Sequence, residues 1–140
     1  MNDVEDGLQY VIEQGWVDAE KVAIYGASHG GYAVLRGLTK TPELYSCGID
    51  YVGVSNLYTF MQSMPAYWKP YLEIIKAIWY DEDNAEEKKI MDEVSPVFHI
   101  DKITKPLFVI QFKTFILGVP INSATNKFLG LLNNSRGEPT

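Results

Sequence analysis

Residues 21–32 read Lys21-Val22-Ala23-Ile24-Tyr25-Gly26-Ala27-Ser28-His29-Gly30-Gly31-Tyr32. The first half is a short apolar run rich in β-branched residues, the pattern of a strand buried on both faces inside a parallel sheet. The second half opens a helix expected over residues 30–40, with Tyr32, Leu35 and Leu38 on one stripe and Thr41-Pro42 stopping it. Between them, Gly26-Ala27-Ser28-His29-Gly30 fits Gly-x-Ser-x-Gly in the strand-to-helix setting where that pattern has mechanical meaning. So tight a turn strains the backbone of its central residue. Gly26 and Gly30 let strand and helix approach without side-chain collision, and Gly31 adds clearance. A helix that starts here directs its N–H groups and positive dipole end toward the Ser28 hydroxyl. Ser28 is therefore a candidate nucleophile, and the backbone N–H of His29 a candidate oxyanion donor. Composition alone yields the bare pattern in roughly one chain in twenty of this length, so the strand and helix around it carry the weight. The competing reading is a glycine-rich turn in a non-catalytic α/β domain. The His29 ring occupies the variable position of the pattern and is expected to pack or face solvent.

Upstream, Val4, Leu8, Val11 and Ile12 share one face of a surface helix over residues 3–14 that Gly15 closes. Downstream, residues 47–54 (Cys-Gly-Ile-Asp-Tyr-Val-Gly-Val) read as a second buried strand, ended by Ser55-Asn56. Three helical pieces are expected over residues 58–63, 67–79 and 84–92, with no strand among them. Ser95-Pro96 then resets the chain, and Pro106-Leu107-Phe108-Val109-Ile110-Gln111 supplies a third strand. Ile121, Thr125, Phe128, Leu129 and Leu132 share a last helical face. Strands separated by helices require crossover connections, which are right-handed and give a parallel sheet flanked by helices. The fold class is α/β, with a sheet narrower than the usual five or so strands.

The 140 residues are 46% hydrophobic, enough for one domain with a real core. Lys and Arg number 12 against 18 Asp and Glu, and a net charge of −6 argues against a nucleic-acid partner. Cys47 has no second thiol, which excludes a disulfide framework and a cysteine-based zinc site and fits a cytoplasmic location. The acidic start is unlike a signal peptide, and no apolar run is long enough to span a membrane. No metal or cofactor is called for. Nine Tyr, six Phe and three Trp suggest an aromatic pocket or interface, or a well-filled core.

A serine nucleophile needs a histidine base and an orienting acid, in the order Ser, Asp or Glu, His on this kind of elbow. His99 is the remaining histidine, but it precedes the third strand and so falls at the strand's entry end, whereas catalytic groups in open α/β sheets gather at the carboxyl ends. A structural role is expected for it. Asp50, inside the second strand, is expected to pack or hydrogen-bond rather than act as the acid. Asp81, Glu82 and Asp83 look like a solvated helix start.

The elbow Tyr25-Gly-Ala-Ser-His-Gly-Gly-Tyr32, with its second glycine and following aromatic, resembles that of the prolyl oligopeptidase family of serine peptidases. Asp6-Gly7 through Trp16-Val17-Asp18, Ser95-Pro96 and residues 106–111 are similar to further passages of that family's catalytic domain. The resemblance implies an α/β-hydrolase fold with several strands missing, residues 1–140 being a catalytic-domain fragment: 1–111 family-like, 112–118 divergent, 119–140 a family-like helix and tail. It implies Ser28 as nucleophile and the His29 N–H as one oxyanion donor, and Leu57 and Phe60, in Val54-Ser55-Asn56-Leu57-Tyr58-Thr59-Phe60, as lining of the side-chain pocket. The family's triad aspartate would follow Gln111, but Phe112-Lys-Thr-Phe-Ile-Leu-Gly118 holds no carboxylate, and the family's histidine would lie beyond Thr140.

Two readings follow. In the first, the complete parent hydrolyses peptide or acyl-peptide bonds through an acyl-enzyme on Ser28, while this chain, without its base, is weakly labelled by fluorophosphonates or not at all. In the second, the chain is a non-catalytic remnant that works by association, for example as a homo-oligomer through exposed sheet edges. An esterase that uses His99 as base is disfavoured by the strand-end argument.

Overall fold

The structure, a computed structural model, describes residues 2–81 and 83–111. The divergent stretch 112–118 and the helix expected around residues 121–132 lie outside the described residues.

The chain divides into two units, one comprising Met1–Gly53 with Asp101–Gln111 and the other containing Val54–Ile100. The first unit begins with α1 (Asn2–Glu13). Gly15, at φ 70°, ends it: the Gly15 N–H bonds to Ile12 and the Trp16 N–H to Val11, which satisfies carbonyls left open by the last turn. Strand β1 (Ala23–Ala27) leads through Ser28 into α2 (His29–Lys40), and β2 (Cys47–Tyr51) and β3 (Leu107–Ile110) complete a parallel sheet of order β1-β2-β3. Val34, Leu35 and Leu38 of α2 are buried on this sheet beside Ile24. At the far end of α2, Lys40 pairs with Glu5 of α1 at 2.6 Å, and the Thr41 hydroxyl donates to the same carboxylate.

Strand β1 departs from the expectation of burial on both faces. Its even-numbered residues turn toward α2, while Tyr25 remains 68% exposed; in register with it through Ile49, Phe108 is 64% exposed. β2 is also shorter than the apolar run suggests, because Val52 takes φ 51° and turns the chain out of the extended region.

In the second unit, α3 (Leu57–Gln62) is capped by the Asn56 side chain, which accepts from the Thr59 N–H at 3.1 Å. The helix expected over residues 67–79 is instead a 3-10 stretch, Ala66–Tyr71, followed by α4 (Leu72–Trp79). Pro70 lacks the N–H that a continuous α-helix needs there. Helix α5 (Ala85–Val94) starts at Asn84, whose side chain accepts from the Glu86 and Glu87 N–H groups. Buried Ser95 ties two of these elements: its hydroxyl accepts from the Leu57 N–H and donates to the Met91 carbonyl. Among the described residues no helix is long and apolar enough to cross a membrane.

Candidate active site

Ser28 stands between β1 and α2 with φ 56° and ψ −113°, a conformation that side-chain-bearing residues rarely adopt. Three contacts enforce it. The Ser28 N–H donates to the Tyr51 carbonyl at the end of β2, 2.9 Å away, and its own carbonyl accepts the first helical bond, from the Tyr32 N–H at 3.0 Å. The third is steric: a Cβ at Gly26 would overlap the carbonyl of Gly30, so β1 and the first turn of α2 meet backbone to backbone. Gly31 is equally constrained, since a Cβ there would overlap the Asp50 carboxylate and come within 2.6 Å of the Gly53 Cα. At Gly30 itself a Cβ would meet open space, so clearance at the elbow rests on Gly26 and Gly31.

The Ser28 side chain is exposed and makes no capping bond to α2. Its hydroxyl is thus presented to solvent at the N-terminus of a twelve-residue helix, where the macrodipole favours negative charge. His29 follows as the first residue of α2, its ring exposed and 6.0 Å from that of Tyr32. The elbow therefore brings Gly26, Ser28, His29, Gly30 and Gly31 into one turn.

Beneath it lies Asp50, 2% exposed, paired across the sheet with Gly26. Its Oδ1 accepts from the Gly53 N–H at 2.9 Å. Burial pushes its carboxyl up to about 7, against the opposing effect of the Gly53 N–H. The sequence marks Asp50 as a packing or hydrogen-bonding residue; it does not reveal the turn of residues 50–53 that this carboxyl closes. The available signal is a lone acid among apolar strand residues, followed three positions on by glycine.

The remaining candidates belong to the second unit. Leu57 is 2% exposed, and the Phe60 ring packs at 5.3 Å on that of Trp79. His99 Nε2 lies 2.7 Å from the Glu93 carbonyl, a contact suited to holding the turn after α5. Lys76 bridges Asp81 at 2.7 Å and Asp83 at 2.9 Å, and the first of these contacts holds the Asp81 carboxyl below its ordinary range. No cluster of metal-ligating side chains occurs among the described residues.

Comparison with known proteins extends the match beyond the elbow. The profile described as the prolyl oligopeptidase family matches residues 1–113. The chain is 41% identical over 110 residues to dipeptidyl aminopeptidase BIII of Pseudoxanthomonas mexicana, covering 79% of this chain and 16% of that protein. It is 36% identical to dipeptidyl peptidase family member 6 of Caenorhabditis elegans, covering 78% of this chain and 15% of the relative. Among solved structures, a puromycin-hydrolyzing peptidase of Mycobacterium tuberculosis superposes with TM-score 0.75 at 22% identity, over 95% of this chain and 19% of that one. The acylaminoacyl peptidase of Pyrococcus horikoshii gives TM-score 0.75 at 22% identity, over 97% and 21%. These likenesses establish the α/β-hydrolase fold, and the chain spans about one sixth of the length of the two curated relatives.

Proposed function

Since the chain belongs to the prolyl oligopeptidase family of serine peptidases, we propose that Ser28 is the nucleophile that takes the acyl group from a peptide or acyl-peptide substrate. The supporting observation is the left-handed backbone of Ser28 at the strand-to-helix junction, held by Tyr51 and allowed by Gly26 and Gly31. In this reading the Ser28 oxygen attacks the scissile carbonyl, and the carbonyl oxygen, as it becomes an oxyanion, is met by the His29 backbone N–H at the positive end of α2. Within the second unit, Phe60 is the more accessible of the two residues proposed for the side-chain pocket, Leu57 being 2% exposed.

The chemistry also needs a base. The sequence has two histidines, His29 in the variable elbow position and His99 with a ring nitrogen on Glu93. Residues 112–118 bring no carboxylate. On this account the 140 residues carry a formed elbow without the imidazole that would deprotonate it, so turnover by this chain alone is slow. General-base assistance is worth about 10²- to 10⁴-fold. An imidazole-supplemented fluorophosphonate reaction, with Ser28→Ala as control, tests the nucleophile and the missing base together.

A second reading has its own supporting observation, the uncovered row of Tyr25 and Phe108 on a sheet whose parallel strands call for cover on both faces. Here the chain works by association, including self-association, and the outer strands β1 and β3 offer further pairing surface. Sedimentation velocity separates this from a monomeric catalytic piece.

A further inference from the structure

We propose that Asp50 is a positioning residue for the nucleophile elbow: its carboxyl closes the turn after β2 and braces that turn against the first turn of α2, holding the backbone of Ser28 in its strained conformation. The inference rests on the reading of Ser28 as nucleophile.

Four consecutive residues carry the argument. Asp50 accepts the Gly53 N–H through Oδ1. The Tyr51 carbonyl accepts the Ser28 N–H, and the Val52 N–H donates to Ile110 of β3. Val52, a β-branched residue, is meanwhile held at φ 51°, a conformation that persists when its surroundings over-determine it. Gly53 then seats against Gly31 so closely that a side chain at either position would collide with the Asp50 carboxylate. The same turn therefore grips Ser28 by its N–H and α2 at Gly31. Removing the carboxyl would leave Val52 free to relax and the Tyr51 carbonyl free to withdraw.

The carboxyl serves this purpose in its neutral form. A charge in this cradle must find water that the glycine packing excludes, and burial accordingly shifts its titration to about 7. The titratable groups on its own strand and on the elements packed against it are Cys47 and Tyr51 of β2, Tyr25 of β1, His29 and Tyr32 in the first turn of α2, and Arg36 and Lys40 further along α2, Lys40 being paired with Glu5. Cys47, Tyr25 and Tyr51 alternate onto the other sheet face, and the His29 and Tyr32 rings lie against each other. The strand residues of β3 bring none. The shift has burial and the Gly53 N–H as its causes and no charged side chain among them.

Amide hydrogen exchange on the full chain between pH 4 and 9 tests the proposal, with the same amides of Asp50→Asn as the reference at each pH. In the wild type, protection at Ser28 and Tyr32 relative to Asp50→Asn is expected to fall about tenfold per pH unit as pH rises to about 7 and to level off above it. Asp50→Asn, which mimics the neutral acid, should hold protection level across that range. Asp50→Glu, with a methylene too many for the cradle, should lower it throughout, and Asp50→Ala, where folded, should do the same. Wild-type pH dependence in Asp50→Asn, or a flat profile in the wild type, overturns the proposal. Fluorophosphonate labelling in the presence of added imidazole is read separately: failure of Ser28 to react under that condition removes the nucleophile reading and leaves the exchange result standing, and the reverse holds equally.

Discussion

Asp50 reverses the usual dependence of stability on pH. An acid whose folded pKa is raised keeps its proton in the native state after the unfolded chain has lost it, so its contribution is complete below the ordinary aspartate value and declines as pH rises toward about 7. With a shift of roughly three units the loss is on the order of 4 kcal/mol, at about 1.4 kcal/mol per unit. Urea unfolding should show stability falling between about pH 4 and 7 in the wild type and little change over that range in Asp50→Asn. At the neighbouring glycine, Gly31→Ala drives a methyl into the Asp50 carboxylate and the Gly53 backbone. It should cost about 1–3 kcal/mol or more, the scale of forced overpacking, in the same urea titration. Gly30→Ala, which meets open space, is expected to cost far less, and that contrast checks which glycines hold the elbow closed. The motif in the sequence identified Ser28 and its glycines, but it marked Gly26 and Gly30 as the essential pair. The structure shifts that weight to Gly26 and Gly31, because which helix residue meets the sheet depends on the path of α2 over β2.

Helix α2 carries the first unit's core, and Leu35, 1% exposed, is at its centre. Leu35→Ala should destabilise by about 2–5 kcal/mol in thermal or urea unfolding, the range for truncating a buried leucine. The stripe of Tyr32, Leu35 and Leu38 made this helix legible in the sequence, as the β-branched runs did for all three strands. Boundaries were less legible wherever one residue overrides its neighbours. Val52 and Gly53 extend the apolar run of β2, yet the strand ends at Tyr51 because the bond from Gly53 to Asp50 stabilises a left-handed valine. Similarly, an unbroken apolar spacing across residues 67–79 masked the break that Pro70 imposes between a 3-10 stretch and α4. Exposure of Tyr25 and Phe108 could not be read from strand composition, because the apolar pattern of a central strand is the same whether or not its second cover is at hand.

At the scale of the molecule, the association reading proposed above rests on the exposed Tyr25 and Phe108 of the three-stranded parallel sheet formed among the described residues. Sedimentation velocity at increasing concentration should show reversible self-association, and Tyr25→Lys with Phe108→Lys should shift it to monomer; concentration-independent monomers in the wild type would count against the association reading. The central proposal is narrower: Ser28 is the nucleophile of this elbow, and neither His29 nor His99 serves as its base. Its most direct test is the rate at which a fluorophosphonate modifies Ser28, followed by intact-mass and peptide mass spectrometry with and without added imidazole. The account predicts slow or negligible modification alone, an increase of about tenfold or more with imidazole, and loss of both in Ser28→Ala. Rapid modification without imidazole, or modification that survives Ser28→Ala, would contradict it.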